Sequence, residues 1–253
     1  MLLKTIIKER AIKPKEPTIV EGLPGLGSVG KIVALYLIRQ LEAKKIATLY
    51  SPHFPYYALI DRYGVARLPK NDFYLSKDTD SELLIITGDC QPQTTYGQYE
   101  VANQIVSYAK KYSAKLVITV GGYSSSERTE PKIIGAASGT ELIDRLTSLN
   151  VFVNKAGIPI VGVAGLILAL AKPRGIDAMC LLGETIGYVP DPRAAKSVLV
   201  VLSKLLRISI NMDKIDKEIE RMKRIEEKIK QADQGIETVI RERRAEEKVT
   251  YIS

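Results

Sequence analysis

Short apolar runs rich in β-branched residues alternate with amphipathic segments along most of this chain. The runs predict strands at 18–20, 46–50, 83–87, 116–120 and 178–182. Helical periodicity predicts helices over 28–41, 97–112, 140–149 and 193–206, and a further apolar segment covers 160–171. Strands and helices that alternate at this spacing favour an α/β fold of three layers, with a mostly parallel sheet covered by helices on both faces.

The stretch from Tyr56 to Leu75 does not follow this alternation. Short apolar pieces break there at Gly64 and again over 69–72, where Pro and Asp favour turns. The pattern predicts an antiparallel meander attached to the parallel sheet.

The composition changes after Ile210, because proline is absent beyond that point and charged residues dominate. Apolar or small residues recur there at alternating steps of four and three, with one extra step of three, which is a heptad seam. The seam consists of Ile208, Met212, Ile215, Ile219, Met222, Ile225, Ile229, Ala232, Ile236 and Val239. We therefore predict a globular α/β domain over 1–210 and a helical, coiled-coil-like tail over 211–253, in which Met212 to Ile229 contact another copy or a partner. A surface helix on its own domain and a frayed charged tail are the alternatives.

The charge distribution gives little support to nucleic-acid binding. The formal net charge is +8, yet residues 211–250 hold 11 basic and 11 acidic residues, so the excess lies outside the tail. It is scattered singly, without a basic run with interleaved aromatic residues. No apolar run approaches the length of a membrane span, so we expect a soluble, cytoplasmic protein without a membrane partner.

Few residues are available for nucleophilic or metal chemistry. Cys90 and Cys180 each end an apolar run, which is typical of buried free thiols. The only histidine, His53, lies in a turn-like stretch and is interpreted as structural. We predict no catalytic residue, metal site or cofactor.

The most conspicuous motif is a glycine-rich stretch from Glu21 to Ile32, between a predicted strand and a predicted helix. Gly25, Gly27 and Gly30 match the dinucleotide fingerprint, and 25–31 match the first seven positions of a phosphate-binding P-loop. The P-loop also needs a Ser or Thr after its lysine to bind Mg²⁺, and that position is Ile32. The dinucleotide fold needs an acidic residue about 20 positions further on, where this chain has 50–52, Tyr-Ser-Pro.

Two interpretations of this loop remain. In the favoured one, the glycines let a strand turn sharply into a helix that packs closely against the sheet. In the other, backbone N–H groups at the helix start bind a phosphate or carboxylate, with Gly25, Gly27, Ser28 and Gly30 as the anion-binding loop.

Three further segments could carry chemistry at the ends of predicted strands. Asp89 could lie in an α/β site or serve as a turn or capping residue. The stretch 121–126, Gly-Gly-Tyr-Ser-Ser-Ser, offers hydroxyls but is interpreted as a flexible rim. Asp191 and Pro192 are typical of an N-cap and a first helical residue.

Taken together, several of these motifs resemble the landmarks of the proteasome-assembly-chaperone family found in archaea. The landmarks are 21–30 (EGLPGLGSVG), 88–92 (GDCQP), 121–122 (GG), 165–166 (GL), 183–185 (GET) and 190–192 (PDP), in that order. The resemblance implies a fold similar to nucleoside phosphorylases without their catalytic residues. It also implies self-association into homo-oligomers and binding to proteasome α-subunits or the core proteasome.

In such chaperones a C-terminal hydrophobic-Tyr-X tail can enter the pockets between α-subunits. This chain ends Val249-Thr250-Tyr251-Ile252-Ser253, so its tyrosine is third from the end rather than second. Val249, Tyr251, Ile252 and Ser253 are the predicted partner-binding residues, because an aromatic anchor and a free carboxylate suit a preformed pocket. The alternative hypotheses are a phosphate- or nucleotide-type small-molecule binding protein or enzyme that uses 22–30, and a scaffold held together by its tail.

Overall fold

The computed structural model describes residues 4–77, 82–124, 131–153 and 157–225. Contacts divide the chain into two compact units, Met1–Ile210 and Asn211–Ser253. Within the described residues, no helix is both long enough and apolar enough to cross a membrane.

The first unit is built on a sheet of nine strands, in the order β1-β3-β6-β7-β2-β8-β11-β9-β10. A separate hairpin is formed by β4 and β5. The strands are β1 (Ile6–Glu9), β2 (Thr18–Glu21), β3 (Lys44–Tyr50), β4 (Leu59–Ile60), β5 (Ala66–Arg67), β6 (Asn71–Ser76), β7 (Leu83–Gly88), β8 (Leu116–Ser124), β9 (Ile133–Ala137), β10 (Phe152–Val153) and β11 (Ala178–Thr185).

The four central strands, β7, β2, β8 and β11, run parallel to one another. Strand β2 is buried along its whole length, between β7 and β8. Strands β6, β3 and β1 extend one side by antiparallel pairing, and β9 pairs antiparallel with β11 on the other. The carboxyl ends of the four parallel strands therefore meet at one edge of the sheet, which is where ligand sites of open α/β sheets form.

The helices cover both faces of this sheet, which confirms the predicted fold class. They are α1 (Val29–Gln40), α2 (Thr95–Lys111), α3 (Thr140–Ser148), α4 (Val163–Ala171) and α5 (Pro192–Leu206). Helices α2 and α4 pack together and share one core with the sheet, in which Ile19, Leu84 and Val117 meet Ile105 and Ile167. Helices α1 and α5 pack against each other and against the sheet separately from that core.

The predicted meander is correct only in part. Strand β6 joins the main sheet between β3 and β7, whereas β4 and β5 pair only with each other. The prediction also missed β1, β9 and β10, which are four, five and two residues long. Strand β8 runs on through Ser124, so 121–124 belong to the sheet rather than to a flexible rim. Residues 125 and 126 lie outside the described residues.

In the second unit, residues 213–225 are helical. Ile215 is buried, Met212, Ile219 and Met222 are half-buried, and Ile225 is exposed. Ile229 lies outside the described residues. The seam positions up to Met222 are thus the less exposed face of this helix, and its role as an oligomer or partner helix stays a prediction.

Helix α5 begins with the capping pair that the sequence predicts. Asp191 Oδ1 accepts hydrogen bonds from the N–H groups of Arg193 (3.1 Å) and Ala194 (3.2 Å), and Pro192 is the first helical residue. Asp191 is buried, and its Oδ2 accepts from the Thr185 hydroxyl at the end of β11 (3.0 Å). One side chain therefore fixes both the helix start and its attachment to the sheet.

Asp191→Ala should lower the free energy of unfolding by about 2–3 kcal/mol, because it removes the cap and leaves the buried Thr185 hydroxyl without an acceptor. Asp191→Asn keeps an acceptor oxygen for the helix N–H groups, so it should lower the free energy of unfolding by roughly half as much. Chemical denaturation of the two variants and the wild type measures both values. Equal losses in the two variants would contradict the role given to the cap.

Candidate functional site

The glycine-rich loop connects β2 to α1, and its glycines are required by the close approach of three backbone segments. A Cβ on Gly22 would overlap the carbonyl oxygen of Gly30, and a Cβ on Gly30 would overlap the carbonyl oxygen of Val120 in β8. A Cβ on Gly122 would likewise overlap the carbonyl oxygen of Leu26. The loop and the first turn of α1 thus lie directly on the backbone of β8, as the packing interpretation of the motif expects.

The backbone N–H groups in the middle of this loop already donate within the protein. Gly27 N–H donates to the carbonyl of Gly187 (3.3 Å), and Ser28 N–H donates to the carbonyl of Gly25 (2.9 Å). Gly27 and Ser28 both have left-handed backbone angles, with φ of 56° and 49°. Anion binding by Gly25, Gly27, Ser28 and Gly30 stays an untested prediction, with two of the four N–H groups engaged elsewhere.

A cleft of about 490 Å³ opens beside this loop, at the carboxyl edge of β2 and β8. Its walls come from the loop, from 120–124 of β8, and from residues 159–162 and Ala164 around the start of α4. The lining is mainly apolar, with one aromatic residue, Tyr123, and the large aliphatic side chains of Leu23, Leu26, Val120, Ile160, Val161 and Leu182. Volume, location and lining resemble those of small-molecule sites in α/β proteins.

Glu21, the last residue of β2, lines this cleft and is 1% exposed. Its Oε1 accepts a hydrogen bond from the N–H of Leu23 (3.1 Å), whereas its Oε2 is buried without a partner among the described residues. Burial raises the pKa of this carboxyl to about 8, because the single N–H bond offsets only part of the desolvation. Glu21 is therefore mostly protonated at neutral pH, and its O–H is a hydrogen-bond donor.

Two glutamines contribute further polar groups to the cleft, besides the hydroxyls of Tyr123 and Ser124. Gln91 has both ends engaged, since Nε2 donates to the carbonyl of Pro24 (2.7 Å) and Oε1 accepts from the N–H of Val163 (3.1 Å). Gln98 in α2 donates from Nε2 to the carbonyl of Pro92 (2.5 Å). Its Oε1 is buried and, within the described part of the chain, has no partner. Gln91 thus links the loop to the start of α4. Gln98 Oε1, in contrast, is a hydrogen-bond acceptor without a partner among the described residues.

The cleft holds no Lys, Arg or His among its described lining residues. The two thiols are poor nucleophiles, because burial raises the pKa of Cys90 to about 11 and that of Cys180 to about 12. Both cysteines are free and buried, as the sequence predicts. The potential nucleophiles among the described lining residues are therefore the Glu21 carboxyl and the hydroxyls of Tyr123 and Ser124.

Asp89 has a different role from those considered for it in the sequence. Its carboxylate makes a bidentate ion pair with Arg67 of β5 (2.5 and 3.0 Å) and accepts from the N–H of Lys70 (3.1 Å). Burial alone would raise its pKa, but these hydrogen bonds hold the pKa of Asp89 below its ordinary value. Asp89 therefore fastens the β4–β5 hairpin to the sheet.

A second feature is a set of tyrosines exposed around that hairpin, which we call the aromatic surface. It consists of Tyr56 and Tyr57 before β4, Tyr63 in the hairpin turn, and Tyr96 and Tyr99 at the start of α2. The rings of His53 and Tyr96 lie 5.2 Å apart, which brings the two segments together. His53 Nε2 lies 2.8 Å from Glu100 Oε2, and this contact agrees with a structural role for the histidine. Exposed Ile60, Val65 and Leu68 lie on the same hairpin segment.

The predicted loop lines the cleft, but the prediction did not include its most unusual side chain. The predicted residues Gly25, Gly27, Ser28 and Gly30 lie in one loop, and Gly25 lines the cleft. Glu21 belongs to the glycine-rich motif but has no predicted role, and no motif includes Gln98. An acidic residue directly after a short β-branched run is the one signal for Glu21, and it is weak because ordinary turn residues share that position. Val249, Tyr251, Ile252 and Ser253 lie outside the described residues.

Comparison with known proteins places this architecture in one family. The family model "PAC2 family" matches residues 19–230. An uncharacterized protein of Methanocaldococcus jannaschii is 35% identical over 235 residues, which cover 91% of each chain.

Two solved structures from Pyrococcus furiosus are also similar. PbaB, an archaeal proteasome activator, is 38% identical with a TM-score of 0.85, over 90% of this chain and 99% of that one. PbaA, an archaeal homolog of proteasome-assembly chaperone, is 30% identical with a TM-score of 0.76, over 97% of this chain and 99% of that one. By sequence and by fold, this chain belongs to the PAC2 family.

Proposed function

We propose that this protein is an oligomeric protein-binding factor of the proteasome-assembly-chaperone type, not an enzyme. It engages proteasome α-subunits or a related client through its oligomeric surface and its C-terminal tail. Its similarity to PbaB and PbaA supports this, because one is a proteasome activator and the other a homolog of an assembly chaperone.

The observation that carries the proposal is the aromatic surface. Tyr56 is 99% exposed, Tyr63 73% and Tyr96 71%, and Ile60, Val65 and Leu68 are exposed on the hairpin segment as well. Large apolar patches on soluble proteins mark interaction sites, and tyrosine is enriched in the energetically dominant parts of protein interfaces. Asp89 and Arg67 hold the hairpin in place, so the surface is preorganised for a partner or a second copy.

The tail supplies the second part of the proposal. Met212, Ile215, Ile219, Met222, Ile225 and Ile229 associate with another copy or a partner, and Val249, Tyr251, Ile252 and Ser253 dock in a client pocket. Oligomerisation places several tails on one particle, which raises their effective concentration at a client with repeated pockets.

The aromatic surface is tested with the triple variant Tyr56→Ser, Tyr63→Ser and Tyr96→Ser. We expect it to weaken either self-association or binding to archaeal proteasome α-subunits by at least about tenfold, because each buried interface tyrosine contributes roughly 1–2 kcal/mol. Light scattering after size-exclusion chromatography and surface plasmon resonance measure the two quantities. Tyr188→Ser is the matched control, since Tyr188 is 95% exposed and lies outside this surface.

Tail variants separate the two contact regions. Tyr251→Ala should weaken α-subunit binding and leave the oligomer intact, whereas Thr250→Ala should change neither. A wild-type protein that stays monomeric and binds no α-subunit would overturn the proposal.

A further inference from the structure

The cleft beside the glycine-rich loop has polar groups that the proposed function does not use. Glu21 Oε2 and Gln98 Oε1 are both buried there without a partner among the described residues. A buried polar atom without a hydrogen bond costs about 1–3 kcal/mol, so two in one cleft are a substantial cost to stability. Such costs are concentrated at functional sites, where a ligand supplies the missing partner.

We propose that this cleft binds a small neutral molecule with an apolar body and a polar head that carries one hydrogen-bond acceptor and one N–H donor, as a carboxamide does. The Glu21 carboxyl donates its proton to the acceptor of the head, and Gln98 Oε1 accepts from its N–H. Leu23, Val120, Ile160 and Leu182 surround the apolar body. Both oxygens are covered by protein atoms, so binding includes a local rotamer change that opens them to the cleft.

The described lining of the cleft favours a neutral ligand over a charged one. An anion such as phosphate would find no Lys, Arg or His among the described lining residues, and Glu21 would repel it once ionised. A cation would require Glu21 to ionise, which burial opposes. A neutral head satisfies both orphaned oxygens without a buried charge. This distinguishes the cleft from the phosphate-type ligand that a glycine loop alone suggests.

The cleft volume sets the size of the ligand. About 490 Å³ lies within the range of small-molecule sites and exceeds the volume of a single ring. A one-ring probe should therefore bind at about millimolar affinity, given typical binding energies per atom.

Three probes with the same ring and different charge test the proposal: benzamide, benzoate and benzylamine. With the full chain at pH 6.5, we expect saturable binding of benzamide by ligand-observed NMR, and at least about tenfold weaker binding of the two charged probes. A crystal structure with benzamide should show its oxygen at Glu21 Oε2 and its nitrogen at Gln98 Oε1.

Variants of Glu21 separate its donor role from its charge. Glu21→Gln keeps an N–H donor, so its affinity for benzamide should be within about threefold of the wild-type affinity. Glu21→Leu and Gln98→Leu should each bind benzamide about tenfold or more weakly. Wild-type affinity should fall above pH 8, as Glu21 ionises, and that of Glu21→Gln should not. Glu141→Gln, on the exposed side of α3, is the control. Thermal melts confirm folding of each variant.

Two results would overturn the proposal. One is equal binding of all three probes, or binding of benzamide that Glu21→Leu and Gln98→Leu leave unchanged in folded protein. The other is the absence of detectable binding for all three probes, together with a crystal structure in which Glu21 Oε2 donates to Gln98 Oε1 or to an enclosed water.

Discussion

Glu21→Gln should stabilise this protein at alkaline pH, with a gain in the free energy of unfolding on the order of 3–5 kcal/mol at pH 9. At pH 4 the two proteins should differ by less than about 1 kcal/mol, because the wild-type carboxyl is then protonated in both the folded and the unfolded chain. Few single substitutions of a buried residue are stabilising, so the sign of the effect is itself informative.

The direction follows from proton linkage. Folding raises the pKa of Glu21 from 4.5 to about 8, so the folded protein binds this proton more tightly than the unfolded chain. Between these two values the unfolded state holds fewer protons, and the stability of the wild type falls as the pH rises. The loss begins near pH 4.5 and is complete above about pH 8. Glutamine has the same shape and no proton to lose, so this part of the pH dependence disappears.

Urea unfolding from pH 4 to pH 9 measures the difference between the two proteins. Glu141→Gln in α3 is the matched control, because Glu141 is exposed and its substitution should not alter the pH profile. A Glu21→Gln profile parallel to that of the wild type would show that the carboxyl is ionised in the folded state. A partner for its Oε2 would then have to exist.

The core of the fold follows from the sequence because its signals are local. The apolar runs of β2, β7, β8 and β11 are buried by helices on both faces, so each run is recognisable by itself. The start of α5 is equally local, since an Asp-Pro pair defines both the cap and the first helical residue.

The edges of the sheet are less predictable. Strand β1 reads Ile-Ile-Lys-Glu and is only partly buried along its length, so no apolar run marks it. Strand β9 contains Gly135 and two alanines, which have low strand propensity, yet it pairs with β11. Pairing with the neighbouring strand β11 outweighs the low strand propensity of these residues, and this pairing exists only in the folded chain.

The difference between local signals and tertiary contacts also explains which parts of the candidate site the sequence predicts. The loop was recognisable from its glycines, whose spacing reflects contacts between nearby segments. The state of Glu21 depends on burial by α2, α4 and β8, which come together only in the folded protein. Within the sequence, Glu21 is one of 29 acidic residues, and its position at the end of a strand is shared by ordinary turn residues. Tertiary burial is what makes it a neutral hydrogen-bond donor.

Gly30→Ala should destabilise the protein by at least about 3 kcal/mol. In an unhindered helix this change is stabilising by about 1 kcal/mol, because alanine is the better helix former. Gly30 lies in the first turn of α1, and its new Cβ would overlap the backbone oxygen of Val120, which cannot rotate away as a side chain can. Helix and sheet must then move apart, with loss of contacts in the core.

Gly25→Ala, in the same loop, is the control for that experiment. Its Cβ would meet only Gln91 Nε2, at an ordinary distance of 3.6 Å, and the backbone of Gly25 is extended. We expect a change within about 1 kcal/mol, measured by urea unfolding beside Gly30→Ala. If both variants were as stable as the wild type, close packing would not explain the glycines. Contact with a bound molecule would then be the remaining reason for them, because a ligand that approaches backbone N–H groups closely also excludes a Cβ.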